Sequence, residues 1–79
     1  MKARVEVFLK PGVLDVQGKA IEGALHGLGY EDVAGVRVGK TISFELGEEP
    51  RDKAEARLKS MCERLLANTV IESYRVEIA

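Results

Sequence analysis

The stretch that most constrains this chain is Val36-Arg-Val-Gly-Lys-Thr-Ile-Ser-Phe-Glu-Leu46, because its apolar residues keep one phase throughout. Val36, Val38, Ile42, Phe44 and Leu46 all occupy even positions, on both sides of Gly39-Lys40. If Gly39-Lys40 were a two-residue hairpin turn, Val38 would oppose Thr41 and Val36 would oppose Ser43. The apolar face of one arm would then meet the polar face of the other, which a one-sided core forbids. A single strand, bent or bulged at Gly39, keeps every apolar residue on one side and is the expected structure. Eleven residues at strand rise span about 36 Å, whereas a 14-residue helix covers only about 21 Å. Two such helices cannot cover the whole apolar face, so the strand is expected to continue into a neighbouring chain, in a dimer or a larger assembly.

The other elements follow from period and punctuation. Ala3 to Lys10 alternates and is stopped by Pro11-Gly12, which predicts a strand. Asp15 can cap a following helix whose buried stripe is Ile21, Ala24, Leu25 and Leu28, with Gly29 as a left-handed end. The capping box is imperfect, since its glutamine stands at Gln17 and Gly18 takes the position that would complete it. A second helix is expected after Pro50, with Ala54, Leu58, Met61, Cys62, Leu65 and Leu66 inward and Asn68 as its C-cap. Val70 to Ile78 reads as a last strand with Val70, Tyr74, Val76 and Ile78 on one face, interrupted by Glu72. The expected fold is α+β, strand-helix-strand-helix-strand, in a single domain over residues 1–79 with both helices on one sheet face.

Composition narrows the functional classes. A chain of 79 residues is marginal on its own, and oligomerisation is a natural support. Its net charge of −1, with both signs interspersed, gives no footprint for nucleic acid or an anionic membrane. Charges run through the apolar start Met1-Lys-Ala-Arg-Val-Glu-Val7, so no signal peptide is expected, and no run is long enough to span a bilayer. A single cysteine cannot form an internal disulfide and suits a reducing cytoplasm.

Several motifs invite a catalytic reading, and none has the context it needs. Ala34 to Thr41 meets the loose phosphate-loop spacing, ending Gly39-Lys40-Thr41, but a strand pattern follows where a helix is required. Val16-Gln17-Gly18 after a first strand is similar to the phosphate cradle of acylphosphatases, yet Glu22 stands where an arginine should hold the anion. Cys62 lies on an apolar stripe and reads as a core thiol. With one histidine, His26, and one cysteine, no zinc set is expected within one chain. No catalytic, metal-binding or cofactor-binding residue is assigned.

Taken together, Leu14-Asp15-Val16-Gln17-Gly18, Ala24-Leu25-His26, Leu28-Gly29-Tyr30, Val36-Arg37-Val38-Gly39-Lys40 and Met61-Cys62-Glu63-Arg64-Leu65-Leu66-Ala67-Asn68-Thr69-Val70-Ile71-Glu72-Ser73-Tyr74 resemble the PurS family. These are small subunits of phosphoribosylformylglycinamidine (FGAM) synthase in purine biosynthesis. Ala67-Asn68-Thr69-Val70-Ile71-Glu72 is the most specific piece, and Val16 departs from the family, which often has proline there.

The resemblance implies ferredoxin-like subdomains completed by strands shared between chains. It also implies a non-catalytic partner that bridges a large ATP- and Mg2+-using synthetase subunit and a glutaminase subunit, and helps ammonia pass between them. The residues it marks for partner or self contact are Arg37, Gly39, Lys40, Asn68, Thr69, Glu72 and Tyr74, with Leu14, Asp15, Gln17 and Gly18 as a helix-start motif. For Arg37, Gly39 and Lys40 the competing reading is a bend flanked by solvated cations. For the closing residues it is turn and edge-strand chemistry. A ligand-sensing module of ACT type is the alternative function.

Overall fold

The computed structural model describes residues 1–79. Alternation makes Lys2–Leu9 a strand (β1) with Ala3, Val5 and Val7 buried on one face. Helix α1 spans Val16–Gly27, strand β2 Gly39–Glu45, helix α2 Arg51–Met61 and strand β3 Glu72–Ile78. The three strands form one antiparallel sheet in the order β2-β1-β3. Element order, strand number and helix number are as the pattern predicts.

The apolar core lies between the sheet and α2. Leu58, Val5, Val7 and Cys62 are its largest fully buried side chains, joined by Ala3 and Ala67. Ile42, Phe44 and Leu46 of the β2 region and Tyr74, Val76 and Ile78 of β3 pack around it half-buried. Even-numbered β2 residues therefore do share the core face. On the other face, Arg4 pairs with Glu77 and Arg75 with Glu6 across the β1–β3 ladder, and the Arg75 guanidinium lies 6.0 Å from the Phe8 ring centre.

Several expectations need correction. The strand through Gly39 is single and unbroken by a hairpin, but its ladder starts at Gly39, paired with Phe8, and does not include Val36–Val38. The reason is that β1 runs out into Pro11-Gly12, leaving those residues no strand partner within the chain. The first part of the apolar stretch is thus an extension outside the ladder.

Only α2 covers the sheet. No residue of α1 belongs to the core or packs against it, and the chain is correspondingly elongated, 49 × 25 × 15 Å. Within a single chain α1 lies off the sheet, because Glu22 and the capping Asp15 hold it to the Val36–Val38 extension beyond the sheet end.

α2 continues as one π turn, Cys62–Leu66, in which the Ala67 amide donates to the Cys62 carbonyl at 3.0 Å. The extra residue per turn rotates Leu65 out of the stripe predicted to be buried, and it is 83% exposed. Asn68 consequently lies past the helix end and builds a turn instead of a C-cap: its carbonyl accepts from the Ile71 and Glu72 amides at 3.1 and 2.7 Å. That turn delays β3 to Glu72 and leaves Val70 exposed.

Candidate interface site

The residues marked from sequence converge mainly at one end of the sheet, where β1 ends, β2 begins and α1 departs. Asp15 organises this corner. As N-cap of α1, its carboxylate accepts from the Gly18 amide at 2.7 Å, and its other oxygen accepts from the Val38 amide at 2.6 Å. The side chain is only 5% exposed. One carboxylate thus closes the helix start and satisfies a backbone group that has no strand partner. The Val38 amide, then the Gly18 amide, hold the Asp15 carboxyl below the usual carboxylate range.

Glu22, about two turns on, repeats the device: its carboxylate accepts from the Val36 amide at 3.2 Å, which lowers its pKa. Gly18 allows the approach, because a Cβ there would sit 2.4 Å from the Val36 carbonyl oxygen and 2.9 Å from the Asp15 carboxyl carbon. Arg37 points back instead of outward, donating to the Val13 carbonyl at 2.8 Å and the Lys10 carbonyl at 3.1 Å. It fastens the Pro11-Gly12 connection to the extension and is not a merely solvated cation. Gly39 lets β2 enter the ladder, since a Cβ there would lie 2.8 Å from the Val7 carbonyl oxygen.

Asp15, Gln17, Gly39, Lys40 and Glu72, with Phe8 and Val38, line a shallow cavity of about 260 Å3. Thr69 joins the corner through its carbonyl, which accepts from the Lys10 ammonium at 2.7 Å. The Glu72 carboxylate accepts from the Asn68 amide at 2.7 Å. Leu14 stands exposed beside the cap. Tyr74 does not join this group; its hydroxyl donates to the Glu63 carboxylate at 2.8 Å on the α2 side, and that bond raises its pKa. Cys62 is fully buried and burial pushes its thiol pKa up, away from nucleophilic character. Gly39-Lys40-Thr41 opens a strand, so it does not form a phosphate loop.

Sequence reasoning missed the carboxylate of Glu22 as a backbone acceptor. An acid about two turns past the capping Asp15 and one turn past Gly18, on the same face, was the available signal. It also missed Leu65, for which the 3.6-residue period gives no warning of a π turn.

Acidification tests the Asp15 device. A carboxyl whose folded pKa is depressed adds stability that is fully present above its unfolded pKa, about 3.9, and disappears as pH falls through the folded value. Glu22 and Glu6 are lowered too, so the comparison is between proteins. The stability gap between wild type and Asp15→Asn, read by urea unfolding, should be constant above about pH 5 and shrink below about pH 4. A gap that stays constant down to pH 2.5 would remove the Asp15 carboxylate from the account.

The geometry defines a class: a small α+β domain with one half-covered sheet and a helix projecting beyond it. Comparison with known proteins agrees, since the family described as PurS, phosphoribosylformylglycinamidine (FGAM) synthase, matches residues 2–79. The chain is 48% identical to phosphoribosylformylglycinamidine synthase subunit PurS of Bacillus subtilis over 77 residues, covering 98% of this chain and 90% of the relative. Among solved structures, PurS of Methanocaldococcus jannaschii shares 39% identity at a TM-score of 0.85, covering 96% of this chain and 92% of that one. A chain in the structure of PurLQS from Thermotoga maritima shares 36% identity at a TM-score of 0.86, covering 96% and 93%. The chain belongs to the PurS family.

Proposed function

We propose that this chain is a non-catalytic subunit of an FGAM synthase complex in purine biosynthesis, bridging an ATP-dependent synthetase subunit and a glutaminase subunit. The match over residues 2–79 to a family of FGAM synthase subunits carries this reading. Recurrence of the fold in the PurLQS structure supports it. In this reading the chain works in the cytoplasm as a dimer or tetramer, and ATP and Mg2+ are used by the synthetase. The ligand-sensing alternative gains no support from the similar proteins.

The physical role follows from the chemistry of ammonia. Released into water near neutral pH, ammonia is protonated to ammonium, which has no lone pair to attack an activated carbon. A subunit that holds the glutaminase and synthetase sites in one water-excluding assembly raises the supply of the neutral nucleophile. This task needs a rigid scaffold and adhesive surfaces. The carboxylate-fastened corner at Asp15 and the uncovered apolar surfaces of α1 and β2 are suited to it.

Affinity capture of the tagged chain from its own cell extract, with ATP, glutamine and magnesium present, should recover a large synthetase and a glutaminase. Glutamine-dependent FGAM synthesis by those two should rise on adding the chain. Recovery of the folded chain alone, with synthesis indifferent to its presence, would overturn the reading.

A further inference from the structure

The connection between α2 and β3 is fastened more completely than a surface turn needs. The Asn68 carbonyl accepts from the Ile71 and Glu72 amides, the Asn68 side-chain oxygen accepts from the Val70 amide at 3.2 Å, and the Glu72 carboxylate accepts from the Asn68 amide. Lys10 ties the turn to the end of β1: its amide donates to the Ile71 carbonyl at 2.9 Å and its ammonium to the Thr69 carbonyl. At the crest of this braced turn stands Val70, 81% exposed and outside the core, with Ile71 exposed beside it. A β-branched side chain on a fixed backbone has little freedom left to lose, so burying it against another protein costs little ordering entropy.

Charge is sorted around the same end of the sheet. The carboxylates of Asp15, Glu22 and Glu72 accept from backbone amides, with Asp15 buried and the other two half-buried. The cations are arranged differently. Lys10 and Arg37 donate to backbone carbonyls, Arg37 and Lys40 are exposed, and the five ion pairs of the chain leave all three out. This end of the sheet thus keeps its carboxylates inward and offers cations and one apolar knob outward. Two copies meeting turn to turn would set the same cations against each other, so the end suits a different protein.

We propose that the Asn68–Glu72 turn is a docking point for a partner protein whose surface has an apolar hollow for Val70, rimmed by Asp and Glu side chains that face Arg37 and Lys40. The hollow supplies a desolvated anchor, and the acidic rim supplies orientation and a fast, salt-sensitive encounter. The inference deepens the reading of the chain as a bridging subunit and rests on it.

The test compares Val70→Asp and Lys40→Glu with the wild type, using Lys53→Glu on the exposed side of α2 as the charge-matched control. Each tagged chain is titrated with the purified synthetase and glutaminase, with ATP, glutamine and magnesium present, at low and at high salt. Wild-type binding should weaken as salt rises. Val70→Asp and Lys40→Glu should each weaken it by about tenfold or more, whereas Lys40→Arg and Lys53→Glu should leave it within about threefold. Far-ultraviolet circular dichroism and sedimentation velocity of each variant alone should match the wild type. If Val70→Asp loses its fold, Val70→Ala, which only shortens the side chain, carries the apolar arm of the comparison. Undiminished binding by the Val70 or Lys40 variant, equal loss in Lys53→Glu, or wild-type binding indifferent to salt would overturn the inference. So would a folded variant whose mass differs from the wild type, because the turn would then be a contact between copies. A wild type that binds neither protein overturns the proposed role and this inference with it; a wild type and variants that bind alike remove the inference alone.

Discussion

Leu58→Ala is expected to destabilise the chain by about 2–5 kcal/mol. Leu58 is fully buried at the centre of α2 and shares the core with Val5, Val7 and Cys62. Truncation removes its contacts and leaves a cavity that the surrounding strands cannot collapse to fill, because both neighbours of β1 are fixed in the ladder. Domains of this kind have only about 5–15 kcal/mol in hand, so the loss should bring much of the population to the edge of unfolding at 37 °C. Urea unfolding, fitted with a common slope, reads the change directly. A loss under about 1 kcal/mol would mean that α2 is not the main cover of the sheet.

The second large effect is expected at Gly18, and there the sign is informative. In an ordinary helix interior, Gly→Ala stabilises by about 1 kcal/mol. At Gly18 the new Cβ would lie 2.4 Å from a backbone carbonyl oxygen, that of Val36, and against the Asp15 carboxylate. Either α1 or the extension must move, and the move strains the Asp15–Val38 and Glu22–Val36 bonds together. Gly18→Ala should therefore cost about 1–3 kcal/mol, the usual range for overpacking, and Gly18→Val more. The damage should be local. Amide hydrogen exchange should quicken at Val36, Val38 and the first turn of α1 while the β1–β3 ladder stays protected. Gly23→Ala, where a Cβ meets nothing within 4 Å, is the matched control and should stabilise. Stabilisation by both substitutions would sink the account of the corner.

The legible part of this protein is what short-range chemistry dictates. Alternation at Ala3–Leu9 and at Ile42–Leu46 named the strands and their inward faces, because a pleated strand must segregate its two sides. Asp15 as a cap and Gly29 as a helix end could be read residue by residue; Gly29 adopts φ +101° and Asp15 holds the Gly18 amide. The candidate residues at the corner were legible only as a family signature, since Gly39, Lys40 and Glu72 meet Asp15 and Gln17 through a sheet pairing no spacing predicts.

The sequence alone determined that three strands and two helices form, in which order, and which side of β1 and β2 is apolar, since those depend on neighbours one to four positions away. Tertiary structure decided where β2 starts, because its ladder ends where the facing strand turns away at Pro11-Gly12. It also decided that Leu65 faces out, since one extra residue in the turn at Cys62–Leu66 shifts the helical phase. Above all it decided that α1 lies off its own sheet. An apolar stripe states that something must cover it; which surface does so depends on where backbone hydrogen bonds from Asp15 and Glu22 aim the helix, and those partners are 23 and 14 positions away.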